Sequence, residues 1–172
     1  FDISPTGALA YAVGKVEGGE RTLVWVDRQG KATPLPLPAR PYLFPRVSPD
    51  GKQIAFEVEG VNHDLYLYDP HRDVTTKMTT DGVSHGPVWT PDGKRIAFRS
   101  WKAGTMTMWW MPADRSGPEE RLTMVGARQS LVSFSPDGRY ATFNQMDTGG
   151  TRTDIWMLPL TGFRTPQPFI KT

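Results

Sequence analysis

Apolar residues along this chain fall in short runs that alternate with polar positions, the two-residue period of a strand, and no helical period outlasts a single turn. The runs come in four similar sets. Short apolar pieces at 1–3, 44–47, 87–89 and 132–134 are each followed, across a tight turn, by a second run at 9–13, 54–58, 96–99 and 140–144. A third run, rich in aromatics, follows in each set: Leu23-Val24-Trp25-Val26, Leu65-Tyr66-Leu67-Tyr68, Met108-Trp109-Trp110-Met111 and Ile155-Trp156-Met157-Leu158. A weaker fourth run closes each set near 32–37, 75–78, 120–124 and 166–170. Four antiparallel strands in a unit of forty-odd residues, repeated along the chain, is the pattern of β-propeller blades.

The turn between the first two runs is written almost identically each time. It reads Ser48-Pro49-Asp50-Gly51, Thr90-Pro91-Asp92-Gly93 and Ser135-Pro136-Asp137-Gly138, with a degenerate first copy at Ser4-Pro5-Thr6-Gly7. The four prolines stand 44, 42 and 45 residues apart. Ser or Thr accepts a local backbone hydrogen bond, Pro fixes φ, Asp suits the third position and Gly takes the left-handed one. Asp50, Asp92 and Asp137 are therefore turn residues rather than catalytic carboxylates. The expected fold is all-β: one propeller domain over 1–172, with four blades of four antiparallel strands at approximately 1–43, 44–86, 87–131 and 132–172.

Composition narrows the picture further. Among 172 residues, Gly 17 and Pro 16 favour short elements and tight turns, and 38% apolar with 11% aromatic residues excludes a disordered tail. The net charge is only +2, and no run of five like charges occurs, so the clustered phosphate contacts of a nucleic-acid surface are not expected. There is no cysteine, which removes disulfides, thiolate zinc sites and cysteine nucleophiles. No stretch approaches the ~18 apolar residues of a membrane-spanning helix, and no membrane insertion is expected. Beginning at Phe1 rather than Met, the chain reads as a processed or excised piece.

These units resemble the PD40 (WD40-like) repeats of the TolB propeller family. They are similar also to the repeats in the extracytoplasmic part of bacterial receptor-like Ser/Thr kinases. The residues that carry the resemblance are 23–30 (LVWVDRQG), 45–56 (PRVSPDGKQIAF), 87–98 (PVWTPDGKRIAF), Arg121-Leu122-Thr123 and 154–160 (DIWMLPL). The resemblance implies a scaffold that binds a protein, a peptide or another ligand, in a periplasmic or otherwise extracytoplasmic setting. Similar repeats form the gating propeller of prolyl-oligopeptidase-type enzymes, but no hydrolase domain is expected within these 172 residues. Family propellers usually close with six or more blades, whereas this sequence supplies four. The outer faces of the first and last blades are then each in want of a neighbour: either the chain closes alone as a four-bladed ring or two copies close an eight-bladed ring, and the homodimer is the favoured arrangement.

In a propeller, the loops from strand two to three and from strand four to the next strand one share a face. Those loops are 14–22, 59–64, 101–105 and 146–153, with 37–43, 81–86 and 126–131. His63 and Asp64 fall in one of them. His85, two residues before a strand-one proline, is expected at the channel mouth, where Leu43 and Ser130 occupy the equivalent place. Trp101 beside Lys102 is the aromatic expected to bind, while Trp25, Trp109, Trp110 and Trp156 are expected to pack between blades. The expected ligand-binding set is therefore His63, Asp64, His85, Trp101, Lys102 and Ser130. No HExxH, GxSxG or phosphate-cradling loop occurs, so no cofactor and no catalytic residue is assigned. The alternative function is a metal-assisted hydrolase of esters or phosphoesters. Its divalent ion sits at the channel mouth on His85, His63 and Asp64, with His85 as the catalytic candidate.

Overall fold

The computed structural model describes every residue except 8, 15–18, 125–127, 147–151 and 172, and the described residues form sixteen strands and no helix. The first blade is β1 (Asp2–Ile3), β2 (Leu9–Gly14), β3 (Arg21–Val26) and β4 (Ala32–Pro34). The second is β5 (Tyr42–Val47), β6 (Ile54–Val58), β7 (Asp64–Asp69) and β8 (Val74–Lys77). The third is β9 (Ser84–Trp89), β10 (Arg95–Ser100), β11 (Thr107–Pro112) and β12 (Glu120–Arg121). The fourth is β13 (Gln129–Phe134), β14 (Tyr140–Met146), β15 (Thr153–Pro159) and β16 (Gln167–Ile170). Each blade is one antiparallel sheet with its strands hydrogen-bonded in chain order.

The repeated turn folds as its residue types require. Gly51 has φ +76 and donates its amide to the Ser48 carbonyl at 2.8 Å. The Ser48 hydroxyl donates to the Asp50 carboxylate at 2.6 Å and accepts from the amides of Lys52 and Gln53 at 3.1 and 2.9 Å. Thr90 with Asp92, and Ser135 with Asp137, repeat the hydroxyl-to-carboxylate bond at 2.6 Å. In the degenerate copy Thr6 stands where Asp does elsewhere, and its hydroxyl pairs with that of Ser4 at 2.7 Å. One small network thus shapes the hairpin between the first two strands of every blade.

The first strands of the second, third and fourth blades begin two or three residues earlier than the apolar pattern predicts. Their leading residues include Ser84, His85, Gln129 and Ser130, which are polar, yet Ser84 and Gln129 are buried. A reading based on apolar alternation cannot register a strand end held by polar partners. The pairing also shifts register between Leu43 and Arg46 and between Leu131 and Ser133, with Phe44 at φ +47 in the first of these bulges. The closing strands β4 and β12 are shorter than predicted. Pro34 and Pro36 in the first case lack the amide that a longer ladder needs.

The chain forms two compact units, Phe1–Trp89 and Thr90–Thr172. In the first, Ala10, Leu23, Tyr42, Val47, Ile54, Phe56 and Tyr68 form a buried cluster. The Tyr42 ring meets Phe56 edge-on at 5.1 Å, and Tyr66 stacks on Phe56 at 6.0 Å. Polar stitches join neighbouring blades of this unit: the Val47 amide donates to Asp2 at 2.9 Å, and the Trp89 indole donates to the Arg46 carbonyl at 3.0 Å. The second unit is built on Ala97, Met108, Trp110, Leu122, Ala141, Phe143 and Leu158. Trp25, Trp110 and Trp156 pack in or against these clusters, as expected for third-strand aromatics.

Candidate functional site

Along β6 the side chains alternate, so Ile54 and Phe56 enter the hydrophobic cluster while Glu57 faces the other way. Glu57 is nevertheless 1% exposed, and a buried carboxylate requires compensating donors. It has three. His63 approaches Glu57 Oε1 through Nδ1 at 2.7 Å, His85 does the same at 3.0 Å, and the Gly86 amide donates to Oε2 at 2.9 Å. An ionised carboxylate only accepts, so in both contacts Nδ1 is the donor. Burial pushes the Glu57 carboxyl up, but the hydrogen bonds from His85, His63 and Gly86 outweigh it and hold the carboxyl below its ordinary range. The imidazole centroids lie 4.5 Å apart, tilted by 46°.

Backbone bonding fixes this cluster from three segments. The Asp81 carboxylate takes the Val83 amide at 3.0 Å and the Ser84 hydroxyl at 2.9 Å, which sets the turn into β9. His63 donates its amide to the Gly82 carbonyl at 2.9 Å and accepts from the Ser84 amide at 3.1 Å. That parallel bridge lays the residue before β7 alongside the start of β9. His85 is thus a strand residue rather than part of the preceding loop, with its neighbour Gly86 bonded to the same carboxylate.

Asp64 does not join its neighbours. It is buried and spent on structure: Lys77 Nζ at 2.8 Å, the Thr79 hydroxyl at 3.1 Å and the Gly82 amide at 3.2 Å. Glu57 holds the place in the cluster for which the sequence had suggested Asp64. In the second unit, Lys102 is paired with Glu119 and lies over the Trp109 ring at 4.0 Å. Trp101 is 41% exposed, with the Arg128 guanidinium 5.7 Å from its ring. Ser130 accepts a hydrogen bond from Arg99 at 2.9 Å. The expected top-face loops 14–22, 126–131 and 146–153 lie partly outside the described residues.

Glu57 was readable in the repeats. Aligned on the Ile-Ala-Phe of β6 and β10, it falls opposite Arg99, just as His85 falls opposite Ser130. Both units use these two positions as a pair, Glu57 with His85 in one and Arg99 with Ser130 in the other. A charge inside an otherwise apolar second strand, facing a polar residue on the next first strand, was the signal.

A family model described as the TolB beta propeller domain, PD40, matches residues 40–162. The uncharacterized protein Atu1656 of Agrobacterium fabrum is 31% identical over 147 residues, which is 84% of this chain and 50% of that protein. The crystal structure of TolB from Acinetobacter baumannii superposes with a TM-score of 0.84 at 21% identity, over 99% of this chain and 43% of TolB. A TolB candidate from Agrobacterium tumefaciens gives 0.80 at 25% identity, over 96% of this chain and 62% of its own length. The chain therefore spans about half the length of the curated relative and less than two thirds of either structure.

Proposed function

The chain belongs to the TolB β-propeller family, and from that premise we propose that it is a protein-binding module whose first partner is a second copy of itself. The observation that carries this reading is the apolar surface left on its outermost blades. On the first blade, Phe1, Ile3, Leu9, Tyr11 and Ala12 line a concavity of about 460 Å³, with Phe1 81% and Ile3 58% exposed. On the last blade, Val132, Phe169 and Ile170 are likewise exposed. Propeller blades pack face to face, so exposed apolar residues in these places suit the face of a further blade. Burying them yields ~25 cal/mol per Å² before the cost of association.

A second copy supplies both missing faces at once, because its last blade fits the first blade of its partner and its first blade fits the last. The catalytic alternative lacks comparable support, since Asp64, one of its three supposed ligands, is committed to Lys77, Thr79 and Gly82. Light scattering coupled to size-exclusion chromatography tests the proposal. Twice the 19.2 kDa chain mass is expected at micromolar concentration. A monomer that persists on concentration overturns it.

A further inference from the structure

Independently of that reading, we infer that Glu57, His63 and His85 form a binding site for one divalent first-row transition ion, with Zn2+ as the probe. One ligand atom from each of the three residues lies within 4.8 Å of the other two. Two imidazoles and a carboxylate are a donor set that Zn2+ and its neighbours accept, with a fourth position left for water or an external ligand. Mg2+ and Ca2+ favour oxygen ligands and are poorly matched to two imidazoles.

The distances suit an ion that replaces the two bridging protons. Tetrahedral Zn–N and Zn–O bonds of the usual lengths separate N from O by about 3.3 Å. The present N–O separations are 2.7 and 3.0 Å, so these two edges have to open by a few tenths of an ångström, while the edge between the two imidazoles lies within 4.8 Å. The partly exposed rings have room to do so, since the His63 and His85 side chains are 28% and 16% exposed against 1% for Glu57. That exposure also gives the ion a way in. As each Nδ1 becomes a ligand, the neutral imidazole that binds the ion carries its proton on Nε2 instead. One carboxylate and two neutral rings carry a charge of −1, so a divalent ion leaves +1 at the site and favours an anionic fourth ligand.

The ligands come from β6, from the bridge before β7 and from β9, all anchored by backbone bonds that do not involve the rings. The bound ion therefore clips the second blade to the first strand of the blade after it. The test is equilibrium dialysis of untagged, full-length protein against micromolar Zn2+ with excess Mg2+, followed by elemental analysis and thermal melting. One equivalent of Zn2+ is expected, together with a melting temperature that rises with free Zn2+. Glu57→Gln and His85→Asn are each expected to weaken binding at least about tenfold. His63→Ala keeps the test valid if either of those fails to fold, because the backbone bonds of His63 to Gly82 and Ser84 need no imidazole. Wild-type protein that retains no Zn2+, or variants that bind it as tightly as wild type, overturn the inference.

Discussion

Glu57 shows how one residue can be both a structural demand and a site. Its carboxylate is buried with three donors, so its removal strands the Gly86 amide and uncouples two imidazoles. Glu57→Ala is expected to cost about 1–3 kcal/mol, read as a lower urea midpoint with an unchanged slope. The turn aspartates act at the same scale but in water. Hydrogen bonds from Ser135 and from the Arg139 amide and side chain pull Asp137 from its ordinary 3.8 to about 2. A carboxyl lowered on folding contributes stability above its unfolded pKa and loses that contribution as pH falls through the folded one. Asp137→Asn is therefore expected to flatten the decline of melting temperature between about pH 4 and pH 2. An acid limb as steep as that of wild type would show that this turn has no part in it.

At the scale of elements, the hairpin turns and the third strands were the legible parts, because their chemistry is local. Ser-Pro-Asp-Gly needs no distant partner to fold, and alternation in 54–58 or 65–68 follows from the pleat alone. The starts of β9 and β13 were not legible, because Ser84 and Gln129 are polar residues buried by hydrogen bonds, Ser84 to Asp81 and the His63 carbonyl, Gln129 to Thr123, Gln145 and the Met106 carbonyl, and no apolar period marks them. A search for apolar periods also passes over Glu57, which only the alignment of the repeats marks, and the ligand candidate Asp64 is bonded instead to Lys77 and Thr79. The turns also carry a graded prediction. A Cβ at Gly138, φ +69, meets nothing within 4 Å, so Gly138→Ala is expected to cost only the left-handed backbone penalty, ~1 kcal/mol. At Gly51, φ +76, the same Cβ comes 2.8 Å from the Thr6 hydroxyl, which is tied to Ser4. Gly51→Ala is expected to be the more destabilising of the two in parallel chemical denaturation, and equal losses would mean that Thr6 yields freely.

For the molecule as a whole, the proposed self-association makes a demand that simple aggregation through exposed apolar residues does not. In a two-copy ring, the first blade of each copy meets the last blade of the other, so two equivalent contacts close it. Ile3→Asp spoils the first-blade face, and Phe169→Asp spoils the last-blade face. Each variant alone then damages both contacts and is expected to run as a monomer. A mixture behaves differently. When an Ile3→Asp copy meets a Phe169→Asp copy, one contact receives both aspartates and the other is wild type on both sides. An equimolar mixture is therefore expected to recover a heterodimer held at a single contact, weaker than wild type but visible by light scattering or by native mass spectrometry of differently labelled copies. If like faces paired instead, first blade on first blade, the Ile3→Asp variant would still dimerise through its intact last blades. Mixing would then add no contact that either variant lacked alone.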